Sequence, residues 1–265
     1  MNKNSLVKLS EYQPYPFKIT EIKLDFRIFE EYVRLISIQR IEPITGDQNP
    51  LILQGVNLHL EELSINQTIL KKNQFQLSDS SLTINSPPLK PFELMIAVRF
   101  NPFENTSLEG LFLSKSILAT QCEAEGFRRI CFHPDRPDVL SKYFVRIEAS
   151  IKKYPILLSN GNLIKSSIIA SDTSRHEVIW ADPHPKPCYL FALVAGNLES
   201  VSDNYKTRSG KNVLINLYVE SGDESYTSHA IRSLKNAMKW DEVVYNFEYD
   251  LNEYNIVAVR HFNMG

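Results

Sequence analysis

Short stretches of alternating apolar and polar residues recur along most of this chain. The clearest are residues 22–28 and 92–100, where every second side chain is Ile, Leu, Val or Phe. Such alternation is typical of a β-strand with one buried face, because successive strand side chains point to opposite faces of a sheet. Similar or shorter alternations occur at residues 33–38, 56–60, 63–65, 75–77, 82–84, 145–151 and 213–219. Many short strands with little helix predict a mainly β protein built from antiparallel sheets, either a sandwich or curved layers.

Proline, glycine and asparagine mark several expected breaks between these strands. Residues 134–142 contain two prolines and two aspartates, and they predict a single capped helical turn. Asn160 and Gly161 predict a tight hairpin, since both residues tolerate the positive φ of a type I′ turn. Residues 182–187 contain three prolines and predict a rigid loop that leads into a strand over residues 189–194.

One segment near the end of the sequence has a different period. Apolar residues recur at three- and four-residue intervals over residues 231–238, which is typical of an amphipathic helix. We predict this helix over residues 225–245 and a last strand over residues 255–259. The Ala-Gly-Asn string at residues 195–197 suggests the end of a first domain, so we predict a β domain over residues 1–197 and an α+β segment over residues 198–265.

Composition and charge limit the partners of the chain. Its 265 residues are 43% hydrophobic and carry a formal net charge of −2, which is ordinary for a globular protein. This balance gives no reason to expect a nucleic-acid partner or an anionic membrane surface. The longest apolar run, residues 189–195, is too short to span a bilayer, and the first residues lack the apolar core of a signal peptide. Three cysteines, an odd and low count, suit reduced thiols, so we expect a cytoplasmic protein.

The densest group of polar residues amid the apolar strands is the string TQCEAEGFR at residues 120–128. If this string is extended, Gln121, Glu123 and Glu125 project to one face, because strand side chains alternate. Two carboxylates and an amide on one face suit a cationic or hydrogen-bonding ligand. The alternative is that Glu123 and Glu125 are solvated charges at a strand edge, as charged side chains usually are.

A metal site is the second possibility that the residues raise. Cys122, Cys131 and His133 lie close together in the sequence, and His184 with Cys188 forms another pair. Their spacings match none of the usual zinc modules, and single buried cysteines usually behave as small hydrophobes. We therefore expect no metal ligand among these residues.

Several long strings of the sequence resemble one known family. Residues 120–128 are followed by DRPDVL at residues 135–140, LLSNGN at residues 157–162 and KPCYLFALVAG at residues 186–196. In this order, the strings resemble zinc aminopeptidases of the bacterial aminopeptidase N type, and the resemblance covers residues 17–265. It implies a large antiparallel β-sandwich or saddle-like N-terminal domain, followed by the opening α+β segment of a thermolysin-like catalytic domain.

The resemblance also implies a reaction. The family removes single residues from peptide N-termini with one zinc ion, which is held by a helix carrying an H-E-x-x-H motif. This chain has no H-E-x-x-H motif, since its only His-Glu pair, His176 and Glu177, is not followed by a second histidine. Gly265 falls on the first residue of the family's G-A-M-E-N motif. We therefore expect zinc in the full-length family, but no zinc and no hydrolysis in this stretch alone.

The part of the reaction that the resemblance assigns to this chain is substrate recognition. Glu123 resembles the family's glutamate that binds the free amine of the peptide, and Gln121 resembles the amide beside it. Met264 and Gly265 resemble residues at the pocket for the first side chain, where an adaptable thioether suits varied residues. Glu125 has no such counterpart and is expected to be solvated. The implied partners are peptides with a free N-terminus and the missing catalytic domain.

Two adjacent positions depart from the family pattern. Arg260 and His261 stand where the family usually has an acidic residue and an aromatic residue. Arginine in place of an acid reverses the charge beside the implied substrate site. Two functions stay open: the N-terminal portion of a zinc-dependent aminopeptidase, or a non-catalytic peptide-binding module or truncated remnant of such an enzyme.

Overall fold

The computed structural model describes residues 8–260 and residue 262. The strands in this part of the chain are β1 (Phe17–Ile28), β2 (Val33–Pro43), β3 (Leu51–Gln54), β4 (His59–Ile65), β5 (Thr68–Ile69), β6 (Gln76–Leu77), β7 (Ser81–Ile84), β8 (Phe92–Phe100), β9 (Gly110–Ser114), β10 (Ile117–Gln121), β11 (Leu140–Ser150), β12 (Ile156–Ser159), β13 (Asn162–Ile169), β14 (Asp172–Pro187), β15 (Leu193–Gly196), β16 (Glu199–Lys206), β17 (Asn212–Val219) and β18 (Glu253–Val257). The α-helix is α1 (Thr227–Val244), and short 3-10 segments lie at Leu9–Glu11, Phe127–Arg129, Cys188–Leu190 and Glu224–Tyr226. The protein is therefore mainly β, as the alternation of its sequence predicts.

The largest layer is an eight-stranded sheet with the order β13-β14-β11-β1-β2-β8-β4-β5. Its neighbouring strands run antiparallel, apart from the parallel pair β1 and β11. β1 and β2 are joined by a short connection and pair with each other, with Ile28 opposite Val33. Ile22, Leu24 and Phe26 of β1 are at most 1% exposed, so the apolar positions of the alternation form the face of the sheet that lies in the core.

Two smaller sheets complete the first hydrophobic core, the four-stranded sheet β12-β15-β10-β9 and the three-stranded sheet β3-β7-β6. One cluster of buried side chains includes residues from all three sheets. Phe127 is fully buried in this cluster, and its ring centroid lies 5.3 Å from that of Phe191 and 6.3 Å from that of Tyr143. Because Leu118 of β10 and Phe127 both belong to the core, the polar residues between them are anchored on both sides.

A second cluster lies in the last part of the described chain. It joins the β16-β17-β18 sheet to α1, where Ile231 and Met238 are buried. The helix predicted over residues 225–245 is confirmed, and its apolar stripe packs on this sheet. The last predicted strand forms two residues early, as β18, and pairs in parallel with β17. No helix among the described residues is both long and apolar enough to cross a membrane.

The predicted helical turn at residues 134–142 is wrong. This segment is irregular until β11 begins at Leu140. The Asp138 carboxylate accepts hydrogen bonds of 2.8 Å from the side chains of Tyr12 and Arg136. A contact with Tyr12 depends on the tertiary fold, so the local sequence cannot reveal it.

The predicted rigid loop at residues 182–187 is also wrong, because these residues form the end of β14. The pairing of β13 with β14 ends at Ala181, so this part of β14 has only β11 beside it. A strand with one unpaired edge tolerates proline, which lacks an N–H donor. The strand predicted over residues 189–194 starts later, at Leu193, after a 3-10 segment.

Asn160 and Gly161 do not close a hairpin. β12 pairs with β15, whereas β13 pairs with β14, so the two residues connect different sheets. Gly161 has a φ of +91°, and a Cβ atom there would lie 2.2 Å from the carbonyl oxygen of Ala181. The glycine is therefore required by a close approach to the neighbouring backbone.

Candidate functional site

β10 ends at Gln121, and the chain then turns instead of continuing as a strand. Gln121 is buried and pairs with the first residue of β9. In the turn that follows, the N–H of Gly126 donates to the carbonyl of Cys122 across 2.8 Å. The prediction that Gln121, Glu123 and Glu125 share one strand face is therefore wrong, since only the first of them lies in a strand.

Two glycines allow this turn to fold back on the β9–β10 hairpin. A Cβ atom on Gly126 would lie 2.4 Å from the carbonyl oxygen of Gln121 and 2.9 Å from the backbone nitrogen of Gly110. Gly110 has a φ of +73°, and a Cβ atom there would lie 2.7 Å from the Cβ of Arg129. These approaches are too close for a side-chain carbon, so both positions favour glycine.

The structure brings Gln121 and Glu123 together through the main chain. The Nε2 of Gln121 donates a hydrogen bond of 3.1 Å to the carbonyl of Glu123. The Glu123–Ala124 peptide bond is cis, and the Glu123 side chain is exposed. Among the described residues, the Glu123 carboxylate has no ion pair or hydrogen bond. A buried amide thus holds the backbone from which an exposed carboxylate projects.

Glu125 has a different environment. Its contacts, direct and through its partner, involve two residues that the sequence patterns did not indicate. Its carboxylate is 66% exposed and pairs with Arg128 at 3.1 Å. Arg128 donates its backbone N–H and its Nε to Oδ2 of Asp135, at 3.0 and 2.9 Å. The Asp135 side chain is only 1% exposed. The available signal was an aspartate directly after the mostly apolar residues 130–134.

The last described residues run beside the same hairpin. The carbonyl of Arg260 accepts a hydrogen bond from the hydroxyl of Ser114, and the rings of Phe112 and Phe262 lie 6.4 Å apart. The contacted residues, Ser114 and then Phe112, lie progressively closer to the start of β9. The first residue of β9 pairs with Gln121, so the last described residues run along β9 towards Gln121. Three residues named in the sequence prediction lie outside the described part of the chain: His261, Met264 and Gly265.

The positive charge of Arg260 is offset by nearby acids. Its guanidinium pairs with Glu220 at 3.0 Å and with Asp223 at 2.9 Å. Glu220 also pairs with Lys115, in the turn between β9 and β10, at 3.3 Å. Arg260 therefore links the segment before α1 to the hairpin that carries Gln121.

The chain is similar in sequence to proteins of one known family. Residues 24–190 match the family described as Peptidase M1 N-terminal domain. The chain belongs to the M1 peptidases. Aminopeptidase N of Caulobacter vibrioides is 44% identical over 259 residues, which are 98% of this chain and 30% of that protein. The resemblance to enzymes of the aminopeptidase N type is confirmed, and this M1 chain spans about 30% of the length of that relative.

Solved structures of M1 relatives share the fold. Aminopeptidase A of Legionella pneumophila, in complex with aspartic acid, has a TM-score of 0.91 and 35% identity, covering 98% of this chain and 30% of that one. A mutant M1 zinc metallopeptidase of Deinococcus radiodurans, bound to a Tyr-Ser-Ala substrate, has a TM-score of 0.73 over 91% of this chain and 56% of that one. At 12% identity, the second likeness concerns the fold alone. The predicted fold class is confirmed.

The described residues of this M1 chain do not assemble the alternative metal site. Its three cysteines are free and buried, and burial raises the pKa of each thiol, that of Cys131 to about 12. Burial lowers the pKa of His133 to about 3, and its Nδ1 lies 2.9 Å from the side-chain oxygen of Gln39. His184 lies at the surface, 2.9 Å from Asp250. Within residues 8–260, no group of three or more His, Cys, Asp or Glu side chains could hold a metal ion.

Proposed function

We propose that this chain is the N-terminal portion of a zinc-dependent aminopeptidase that removes N-terminal residues from peptides in the cytoplasm. The observation that carries the proposal is the exposed Glu123 carboxylate, which has no partner among the described residues while Gln121 holds its backbone. Such a carboxylate can bind a cation without first giving up another partner. The α-ammonium group of a peptide is a cation of this kind.

The chemistry of exopeptidase action explains why the carboxylate should be fixed. A charge-assisted hydrogen bond from the α-ammonium to Glu123 would bind the substrate at its first residue. With the α-ammonium group fixed, the first peptide bond of the substrate lies at a set distance from the reacting centre. A peptide that extends beyond the amine-binding position, or whose amine is blocked, would fit poorly. Gln121 contributes by restricting the backbone of Glu123, which lowers the entropy lost when the substrate binds.

The path of the last described residues supports the rest of the proposed site. Arg260 and Phe262 follow β9 in the direction of Gln121. We assign Met264 and Gly265, which follow Phe262 closely in the sequence, to the pocket for the first side chain of the peptide. The thioether of a methionine adapts to side chains of different shape.

The zinc ion belongs to another part of the proposed enzyme. The chain has no H-E-x-x-H motif, and its described residues do not fit a zinc site. When bound in the longer polypeptide, the ion would activate water for hydrolysis. The isolated chain should bind no stoichiometric zinc and hydrolyse no aminoacyl substrate. Metal analysis that finds one tightly held zinc ion per chain would contradict this assignment.

An exposed apolar surface near the end of α1 supports a catalytic domain as partner. Trp240 and Val244 lie four residues apart on the helix and are 53% and 51% exposed. Tyr245 and Phe247, directly after the helix, are 67% and 55% exposed. Apolar groups clustered on a surface are typical of an interface with other parts of a protein. We assign this surface to the remainder of the enzyme.

A fusion protein tests the proposal. This chain replaces the matching N-terminal segment of Caulobacter vibrioides aminopeptidase N, and hydrolysis of an alanyl peptide and of its N-acetylated form is measured. The fusion should cleave only the peptide with the free amine, and Glu123→Gln should reduce that cleavage. A folded but inactive fusion, together with binding of free-amine peptides by the chain alone, would favour the non-catalytic module instead.

A further inference from the structure

The carboxylate of Asp135 is bonded on both oxygens beside the segment that carries Glu123. Its Oδ2 accepts hydrogen bonds from the backbone N–H and the Nε of Arg128, at 3.0 and 2.9 Å. Its Oδ1 lies 3.1 Å from the thiol of Cys188, which donates to it. With a side chain only 1% exposed, Asp135 cannot meet a substrate directly, so its effect on the site must pass through its partners.

Asp135 is itself fixed to the three-stranded sheet. Its backbone N–H donates to the side-chain oxygen of Gln54 in β3 across 3.1 Å. Gln54 and His133 exchange backbone hydrogen bonds of 2.9 and 3.1 Å. Leu51 and Leu53, the neighbouring residues of β3, are fully buried. The carboxylate therefore belongs to a rigid part of the core.

Arg128 connects this rigid carboxylate to the turn that carries Glu123. Its backbone is part of the 3-10 segment directly after the turn, so Asp135 fixes that end of the turn, while Gln121 fixes the other end. The guanidinium also pairs with Glu125. Its positive charge is thus shared between two carboxylates and is not left to neutralise Glu123.

We propose that Asp135 is a positioning residue for recognition of the substrate amine. By holding Arg128, it keeps the Glu123 turn in place and keeps the guanidinium away from the Glu123 carboxylate. The inference rests on the proposed role of Glu123. In Asp135→Asn, the side chain keeps its size and one acceptor oxygen but loses its charge, so Arg128 loses its buried ion pair and one of the two fixed ends of the turn is weakened.

Hydrogen exchange of the 265-residue chain tests the structural half of the inference. In Asp135→Asn, the amides of residues 121–129 should exchange roughly tenfold faster or more, while those of β11 stay protected. Asp182→Asn is the matched control, because it removes another buried carboxylate, the partner of Lys186, and should leave residues 121–129 unchanged. If Asp135→Asn does not fold, Arg128→Gln removes the ion pair but keeps the hydrogen bond from the backbone N–H of residue 128 to Asp135, and it should have a smaller local effect in the same direction.

Two exchange results would overturn the inference. One is unchanged exchange at residues 121–129 in a folded Asp135→Asn or Arg128→Gln variant. The other is the same loss of protection at these residues in Asp182→Asn, since the effect would then reflect general destabilisation. Both results are independent of any enzymatic activity.

A double-mutant cycle in the fusion protein tests the functional half. Asp135→Asn should lower kcat/KM roughly tenfold when Glu123 is present and should have almost no further effect in the Glu123→Gln background. A residue that only stabilises the fold would lower kcat/KM equally in both backgrounds, and equal losses would overturn the inference. If Glu123→Gln alone changes nothing, the proposed function fails instead, and the exchange result still decides whether Asp135 holds the turn.

Discussion

The side-chain amide of Gln121 donates a hydrogen bond of 3.1 Å to the main-chain carbonyl of Glu123. The first residue is buried at the end of a strand, and the second is exposed in the turn that follows. The spacing Gln-x-Glu therefore does not place two side chains on one strand face. It pairs a residue that holds the backbone with a residue whose side chain is free to bind, and such pre-organisation favours binding.

The close packing of Gly126 predicts the effect of a single added carbon. In Gly126→Ala, the new Cβ would lie 2.4 Å from the carbonyl oxygen of Gln121, so the turn must move away from the hairpin. We expect the free energy of unfolding to fall by about 1–3 kcal/mol, as for other overpacked sites. Chemical denaturation of the isolated chain measures this change.

Gly46→Ala is the control for that measurement. A Cβ atom on Gly46 would meet nothing within 4 Å, so the free energy of unfolding should change by no more than about 0.5 kcal/mol. If the two alanine variants are equally stable, the close approach of Gly126 to the hairpin is not a constraint on the fold.

The course of this turn is not encoded in the local sequence pattern. The alternation of Gln121, Glu123 and Glu125 fits a strand, but the chain leaves the strand because Gly126 can pack against Gly110. That contact joins residues far apart in the sequence, and no local pattern reports it. Arg128 has no local signal for a related reason, since its contact with the buried Asp135 forms only in the fold.

A charged network on the large sheet predicts a pH dependence of stability. Hydrogen bonds from Lys165, Arg146 and Ser167 lower the pKa of Glu177 from its ordinary 4.5 to about 2. A lowered folded-state pKa stabilises the fold above the unfolded value, and this contribution is lost as the pH falls from about 4.5 towards 2. Glu177→Gln should therefore lower the free energy of unfolding at pH 7 by about 1–2 kcal/mol, and by progressively less below pH 4.5.

Denaturation of the wild type and Glu177→Gln at several pH values tests this prediction. Glu21→Gln is a suitable control, because Glu21 and its partner Lys23 are 35% and 56% exposed and such pairs contribute little to stability. If the free energies of unfolding of Glu177→Gln and the wild type differ by the same amount from pH 7 to pH 3, the ionised Glu177 carboxylate is not the source of the extra stability.

The proposed boundary near Asn197 predicts where a protease cuts first. The second hydrophobic cluster is small, and α1 leaves Trp240 and Val244 exposed, so residues 198–265 should open more readily than the rest. Limited proteolysis followed by mass spectrometry should find the first cuts in this part. First cuts inside residues 17–196 would place the boundary elsewhere.

The strands themselves were largely predictable, and the exceptions have physical causes. Phe92, Leu94 and Ile96 are buried on β8 because one face of the strand lies against the core, and their alternation shows this in the sequence. The parallel pairing of β1 with β11 produces no recognisable pattern in the sequence, because the two strands are separated by most of the domain. Pro183 and Pro185 suggest a loop, although β14 accepts them where one of its edges is unpaired.

The central claim is that Glu123 binds the amine of the substrate, and the comparison of Glu123→Gln with Glu125→Gln in the fusion protein tests it most directly. Glu123→Gln keeps the shape of the side chain but removes the charge. The substitution should weaken transition-state stabilisation by about 1.5–3 kcal/mol, which lowers kcat/KM on an alanyl substrate roughly ten- to hundredfold. Glu125→Gln should change little, because the Glu125 carboxylate is 66% exposed and pairs with Arg128. Zinc content should be equal in both variants, and near-wild-type kcat/KM for both would contradict the claim.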